Sequence, residues 1–399
     1  MNNYGVTRHH PGLADRPIYL DYNASTPVDP RVAEAALPYL TTHFGNPSSG
    51  HAYAERPRRA LAEARQQLAG MIGAQPAEIV FTAGGSEADN LAIHGTALAH
   101  DQAAPAQIIT QASEHPAVLQ TCRALQRLHG VQVRYLPVDR DGRVDPAALA
   151  EALTPDTVLV SMMAANNETG VLQPITELAG IAHARGVLFH TDAAQAAGKI
   201  PIDVRAWGVD LLTIAGHKMY APKGIGALYV RAGVQLEPLI YGGGQERGLR
   251  AGTESVALAV ALGAAAHLAR TELDADGADR IRILRDLLHH RLDELLPGRV
   301  QLNGHPDRRL PNTLNVSIAG VAGDDLLAAA PGIAAATGAA CHSQTPEPSP
   351  VLLAMGHDPG RALSALRLTM GRWTTRDDIE QAAHQIVAGA LAPHTTAMA

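Results

Sequence analysis

The chain has 399 residues, 46% of them hydrophobic and 18% charged, with a formal charge of −7 and a pI near 6.2. That length exceeds what one core ordinarily supports, so two units are expected, and the apolar content excludes a disordered chain. No run of Lys and Arg supplies a phosphate-backbone footprint, which removes nucleic acid as an expected partner.

Residues 1–17 lack the apolar core of a signal peptide. Further along, helical stretches alternate with short apolar, β-branched runs. In chain order the pattern predicts a helix over 57–71, a strand over 79–82, a glycine turn opening a helix over 83–90, a strand over 108–110 and a helix over 116–128. Strands over 131–136 and 157–162, a helix over 174–184 and strands over 187–190, 211–214 and 225–230 follow. Such β/α alternation builds a mostly parallel sheet with buried strands. After about residue 255 the pattern changes. Ile281, Leu284, Leu288, Leu292 and Leu295 recur at helical spacing and Pro297-Gly298 ends them, while 312–318 reads as a strand and 379–390 as a terminal helix. The expected organisation is a large α/β unit over 18–255 and a smaller α+β unit made of 1–17 and 256–399. The most apolar internal run, 256–266, is far short of a membrane span, so a soluble, cytoplasmic protein without a membrane partner is expected.

Only Cys122 and Cys341 are present, which provides neither a disulfide framework nor zinc-ligand spacing. The 19 His residues are scattered without an HExxH pattern, so no metal site is expected. Cys122 falls inside a predicted helix and reads as a buried structural thiol. Cys341 falls in 338–350, a stretch of small residues punctuated by proline, and reads as a loop thiol.

The chain holds three lysines, Lys199, Lys218 and Lys223. Lys199 and Lys223 sit in Gly- and Pro-containing turns and read as solvent-facing. Lys218 follows the apolar run 211–214 through Ala215-Gly216-His217, so it emerges at a strand end, the edge where ligands collect in open α/β sheets. Partial desolvation there would make its amine a nucleophile. The strand over 187–192 delivers Asp192 to its end, with Gln195 one turn on. A buried Asp needs a cationic partner, unless it merely caps the next helix. The stretch 81–90 runs from a strand through Gly84-Gly85 into a helix whose first amides suit a phosphate, and it is neither a GxGxxG fingerprint nor a P-loop.

Glycine turn, strand-end Asp192 and Gly216-His217-Lys218, in this order, resemble fold-type I pyridoxal 5'-phosphate (PLP) enzymes, specifically the class V aminotransferase-like cysteine desulfurases. The stretches 19–27, 44–49, 113–115, 165–170 and 190–195 carry the same resemblance across most of the chain. Within that family, 213–218, 242–247, 310–313, and 338–343 followed by 348–353 are most similar to selenocysteine lyase.

The resemblance implies an α/β, fold-type I PLP-dependent transferase with the cofactor held as a Schiff base on Lys218. Asp192 would pair with the pyridine nitrogen, which keeps the ring an electron sink. Gln195 would meet the ring hydroxyl, and His115 would stack on the ring and carry protons. Gly85, Ser86 and His217 would hold the phosphate, with Thr253 reaching in from a second subunit of a homodimer. Asn166, at cofactor and substrate, and Arg367 would hold the carboxylate of an amino-acid substrate. Lys218 would also remove the Cα proton. Cys341 would attack the sulfur or selenium, leaving alanine and a persulfide or selenopersulfide for an acceptor protein.

Two departures stand out: Ala215 occupies a position where many family members carry a hydroxyl, and Ser86 stands where Thr is common. A PLP-dependent aminotransferase, a C–S β-lyase of a biosynthetic pathway and an idle sulfur-assembly scaffold are the competing readings.

Overall fold

The structure, a computed structural model, describes residues 10–100, 106–275, 277–338 and 347–393. Its strands are β1 (Ile18–Tyr19), β2 (Ile79–Thr82), β3 (Gln107–Gln111), β4 (Gln132–Leu136), β5 (Thr157–Ser161), β6 (Leu188–Asp192), β7 (Leu211–Ala215), β8 (Gly226–Val230), β9 (Val300–Leu302), β10 (Thr313–Ile318), β11 (Ile333–Ala334) and β12 (Ala365–Thr369). Each predicted apolar run forms a strand within two residues of its expected bounds.

Seven strands make one sheet in the order β2-β8-β7-β6-β5-β3-β4. The pairings from β4 through β3, β5 and β6 to β7 are parallel, whereas β8 runs antiparallel to both β7 and β2. Except in the edge strand β4, whose side chains alternate in exposure, the runs are apolar without alternation because both faces are covered. Ile79 and Phe81 of β2 enter one core cluster and Val80 the other; Leu212 and Ile214 of β7 enter the first and Leu211 the second. The helix Gly85–Ala99 covers one face, with Ala88, Leu91 and Ala92 buried.

A second core holds Leu284, Leu288 and Leu292 of the helix Gly277–Leu295, Ile379, Ala382 and Ile386 of the helix Arg376–Leu391, and the three-stranded antiparallel sheet β12-β10-β9. Leu20 joins this core and β1 pairs in parallel with β11, so the chain touches the small unit before it builds the large one.

The packing does not change at residue 255, where the sequence pattern suggests a boundary. The helix Val256–Asp274 buries Ala259, Ala261, Leu262, Ala265, Ala266 and Ala269 in the first core cluster of the large sheet. A Cβ on Gly263 would stand 2.6 Å from Ala64 Cα, so this helix crosses the helix Glu55–Ile72 at backbone contact distance. The second core begins with the following helix. At 19 residues, Val256–Asp274 is also longer than the apolar run suggests and is long and apolar enough to cross a membrane, but its small residues are spent on the core.

Candidate active site

Because β2, β6 and β7 point the same way, their carboxyl ends lie at one edge of the sheet, the expected place for a ligand in an open α/β fold. Those ends deliver Gly85 and Ser86, Asp192, and His217 with Lys218 into a single cleft, which His115 and Gln195 also line.

Lys218 follows β7 in a short 3-10 turn, Gly216–Lys218, and its Nζ donates to Asn23 O at 2.8 Å. Burial lowers its pKa to about 8, with Asp192 opposing and Arg367 adding to the shift, so about a tenth of the amine is unprotonated at pH 7, far more than an ordinary lysine offers. Asp192 ends β6, and its Oδ1 accepts from Ala194 N at 2.8 Å. Burial raises its pKa. Asp89 and Glu114 are buried close by, and their carboxyls are pushed well above the ordinary range by burial first and by Asp192 second. His190 supplies no countercharge: burial drives its pKa to about 3, and its ring nitrogens meet Ser161 Oγ at 2.8 Å and Thr213 Oγ1 at 3.1 Å. Asp89 Oδ1 and Glu114 Oε2 have no hydrogen-bond partner. A buried acidic cluster of this kind calls for a cation, and a protonated ring nitrogen is one.

His115 caps the helix Pro116–His129. Its Nδ1 accepts from Ala117 N at 3.1 Å, which places the proton of the neutral ring on Nε2. Burial lowers its pKa, Asp192 opposes and Lys218 adds to the lowering. His217 is likewise held neutral, its pKa brought to about 4 by burial first and Lys218 second, with Nδ1 3.3 Å from Ser25 Oγ. The helix Gly85–Ala99 presents its first-turn amides to the cleft. A Cβ at Gly85 would stand 3.1 Å from the Cβ of Ala215, so the position lacking the usual hydroxyl faces the phosphate-binding turn. An amine of lowered pKa, an acidic cluster short of a cation and a helix N-terminus meeting in one cleft fit the aldehyde, pyridine nitrogen and phosphate of PLP.

Some sequence expectations are placed differently. The side chain of Asn166 is spent on its own turn and on Ser113. Its Oδ1 accepts from Glu168 N at 2.9 Å, Thr169 N at 3.0 Å and Thr169 Oγ1 at 3.2 Å, and its Nδ2 donates to Ser113 O at 3.1 Å. The neighbouring Asn167 lines the cleft instead. Arg367, on β12, reaches the site edge: one guanidinium nitrogen pairs with Asp21 Oδ1 at 2.9 Å, the other donates to Asn167 O at 3.3 Å, and Nε is buried without a partner. Thr253 is exposed and outside the cleft of its own chain. Lys199 is not solvent-facing; its Nζ donates to Gln195 Oε1 at 2.8 Å. Cys122 is a buried free thiol whose pKa burial raises to about 12. Cys341 lies outside the described residues.

Sequence reasoning missed Asn23, Asp21, Asp89 and Asn167. Asn23 acts through its backbone carbonyl, which accepts from both Lys218 Nζ and Gln195 Nε2, a role no side-chain pattern announces. Asp21 was within reach, because it sits in the stretch 19–27 that carries the family resemblance.

The profile of the aminotransferase class-V family matches residues 18–382. Cysteine desulfurase IscS of Anaeromyxobacter dehalogenans is 48% identical over 369 residues, 92% of this chain and 90% of that protein. The cysteine desulfurase of Homo sapiens is 47% identical over 368 residues, 92% of this chain and 80% of that one. Among solved structures, a NifS-like protein superposes with a TM-score of 0.86 at 35% identity, covering 93% of this chain and 98% of its own. SspA in complex with cysteine superposes with a TM-score of 0.77 at 36% identity, covering 90% and 99%. With the cleft geometry, these likenesses establish that the chain belongs to the class V aminotransferase family, among its PLP-dependent, sulfur-transferring cysteine desulfurases.

Proposed function

We propose that the protein removes sulfur from L-cysteine to yield L-alanine, passing the sulfur through a persulfide on Cys341 to an acceptor protein, as a homodimer in the cytoplasm. The observation that carries the reading is the convergence of the Lys218 amine and the Asp192 carboxylate at adjacent strand ends beside the N-terminus of Gly85–Ala99. Bound there, PLP supplies an electron sink for the charge released when the substrate's Cα–H bond breaks. Lys218 Nζ would hold the cofactor's aldehyde carbon, and as a free amine it would take the Cα proton. Asp192 would keep the ring nitrogen protonated. Gly85, Ser86 and His217 would hold the phosphate, and Thr253 of a second subunit would complete that contact. His115 Nε2 is the proton carrier to substrate atoms. Arg367 would bind the substrate carboxylate by exchanging the guanidinium contact it now makes with Asp21. The thiolate of Cys341 then forms an S–S bond to the substrate sulfur as the Cβ–S bond breaks, and the electron pair left at Cβ takes a proton.

Selenocysteine is the second reading, favoured by the likeness of 338–343 and 348–353 to selenocysteine lyase. Steady-state kinetics on both amino acids, with alanine as readout, decides between them. We expect alanine from cysteine and its loss in Cys341→Ser. Unimpaired alanine production from cysteine by that variant removes Cys341 from the mechanism, and a keto-acid product replaces desulfuration by transamination.

A further inference from the structure

Lys199 follows Gly198, whose φ is +73°, and a Cβ on Gly198 would meet Met219 Cγ at 2.7 Å. The turn is therefore pressed against the segment that carries Lys218, and it sends the Lys199 side chain inward. Three hydrogen bonds then run in series: Lys199 Nζ to Gln195 Oε1 at 2.8 Å, Gln195 Nε2 to Asn23 O at 3.0 Å, and Lys218 Nζ to the same carbonyl at 2.8 Å. The Asn23 carbonyl can only accept, so Nε2 must face it and Oε1 must face Lys199, which donates in either protonation state. One N–H of Nε2 is left over for an acceptor in the cleft.

The charges around Lys199 show that this contact is its main tie. No carboxylate lies within ion-pair distance of it among the described residues. On its far side it borders a second cleft between the two units, where Arg280, Arg372 and Glu272 stand, and there Glu272 is engaged by Arg372 at 2.6 Å. On the near side Lys218 and Arg367 are its charged neighbours; burial first, and these two next, depress its basicity.

We propose that Lys199 is a positioning residue for the cofactor: it holds the Gln195 amide in the one orientation that presents Nε2–H to the ring hydroxyl, and its donation into Oε1 strengthens that N–H. This rests on the assignment of the cleft to PLP with its ring oxygen at Gln195. A donor strengthened in this way favours the ionised ring oxygen, because serial hydrogen bonds polarise one another. Lys199 thereby tunes the proton affinity of the bound cofactor without touching it.

The test is a pH titration of the visible absorbance of the PLP-reconstituted enzyme for wild type, Lys199→Met, Lys199→Arg, Gln195→Leu and the double variant Lys199→Met with Gln195→Leu. Lys199→Met should raise the midpoint by about one pH unit or less, the size of one net hydrogen bond. Lys199→Arg, which keeps a donor, should restore it. Gln195→Leu should raise the midpoint as well, and adding Lys199→Met to it should change nothing more. A full Lys199→Met shift persisting in the Gln195→Leu background overturns the proposal, as does an unmoved midpoint in Lys199→Met. Lys199→Leu likewise removes the donor and reads the same effect if the Met variant does not fold, and an unmoved midpoint there overturns the proposal equally. A wild-type protein that takes up PLP without any visible band overturns the cofactor assignment itself, an outcome distinct from failure of Lys199 alone.

Discussion

Glu168 is the buried acid whose ionisation should leave the clearest mark on stability. It is 5% exposed, its Oε2 accepts from Ser349 Oγ at 2.5 Å, and a Cβ on Gly338 would stand 2.7 Å from the same oxygen. Burial raises its pKa from 4.5 to about 7, against the lowering by Ser349 and Arg367. The folded state thus keeps a proton that the unfolded state has already released. Below pH 4.5 both states are protonated and the contribution of Glu168 is fully present; it is lost as pH rises through about 7. A rise from 4.5 to about 7, at about 1.4 kcal/mol per pH unit, corresponds to about 3 kcal/mol. Glu168→Gln keeps the volume and an oxygen for Ser349 but cannot ionise. Urea unfolding of both proteins at intervals from pH 4 to pH 8 isolates the effect from every other titrating group. The variant should gain on the wild type by about 3 kcal/mol across that range. Parallel pH dependences for the two proteins would refute the assignment of a raised pKa to this carboxyl.

Two further outcomes follow from the same structure. Covalent capture of PLP by the apoprotein, read as borohydride-trapped cofactor, should accelerate as pH rises and level off above about 8, the value to which burial brings Lys218; a midpoint near 10.5 would place the amine in water. Gly263→Leu should lower the thermal midpoint and cost about 1 to 3 kcal/mol or more, because the new side chain meets the backbone of Ala64 rather than a side chain that can turn away; an unchanged melt would show that the two helices can part freely.

The strands were legible because burial on both sheet faces writes a simple signal, a short β-branched run bounded by turns. Direction is absent from that signal: β8 is as apolar as its parallel neighbours, and only its pairing with β7 and β2 shows it antiparallel. The helix Val256–Asp274 was assigned to the wrong core for a similar reason. Ala259, Gly263 and Ala266 form a small-residue face that suits any close crossing, and the partner surface around Ala64 appears only when the chain is folded.

At the site, the sequence by itself determined the chemistry-bearing set. Lys218, Asp192, Gly85 and His115 stand in ordered motifs whose residue types leave few alternatives, and they do meet in one cleft. Orientation was decided only by the tertiary structure. Asn166 and Asn167 are identical neighbours, yet the turn after them consumes the hydrogen bonds of the first and leaves the second at the cleft. Lys199 reads as a turn residue until the left-handed Gly198 sends it towards Gln195. Residue type sets which atoms can donate, accept or attack; which way those atoms point depends on backbone dihedrals and on neighbours more than a hundred residues away, such as Asn23 beneath Lys218.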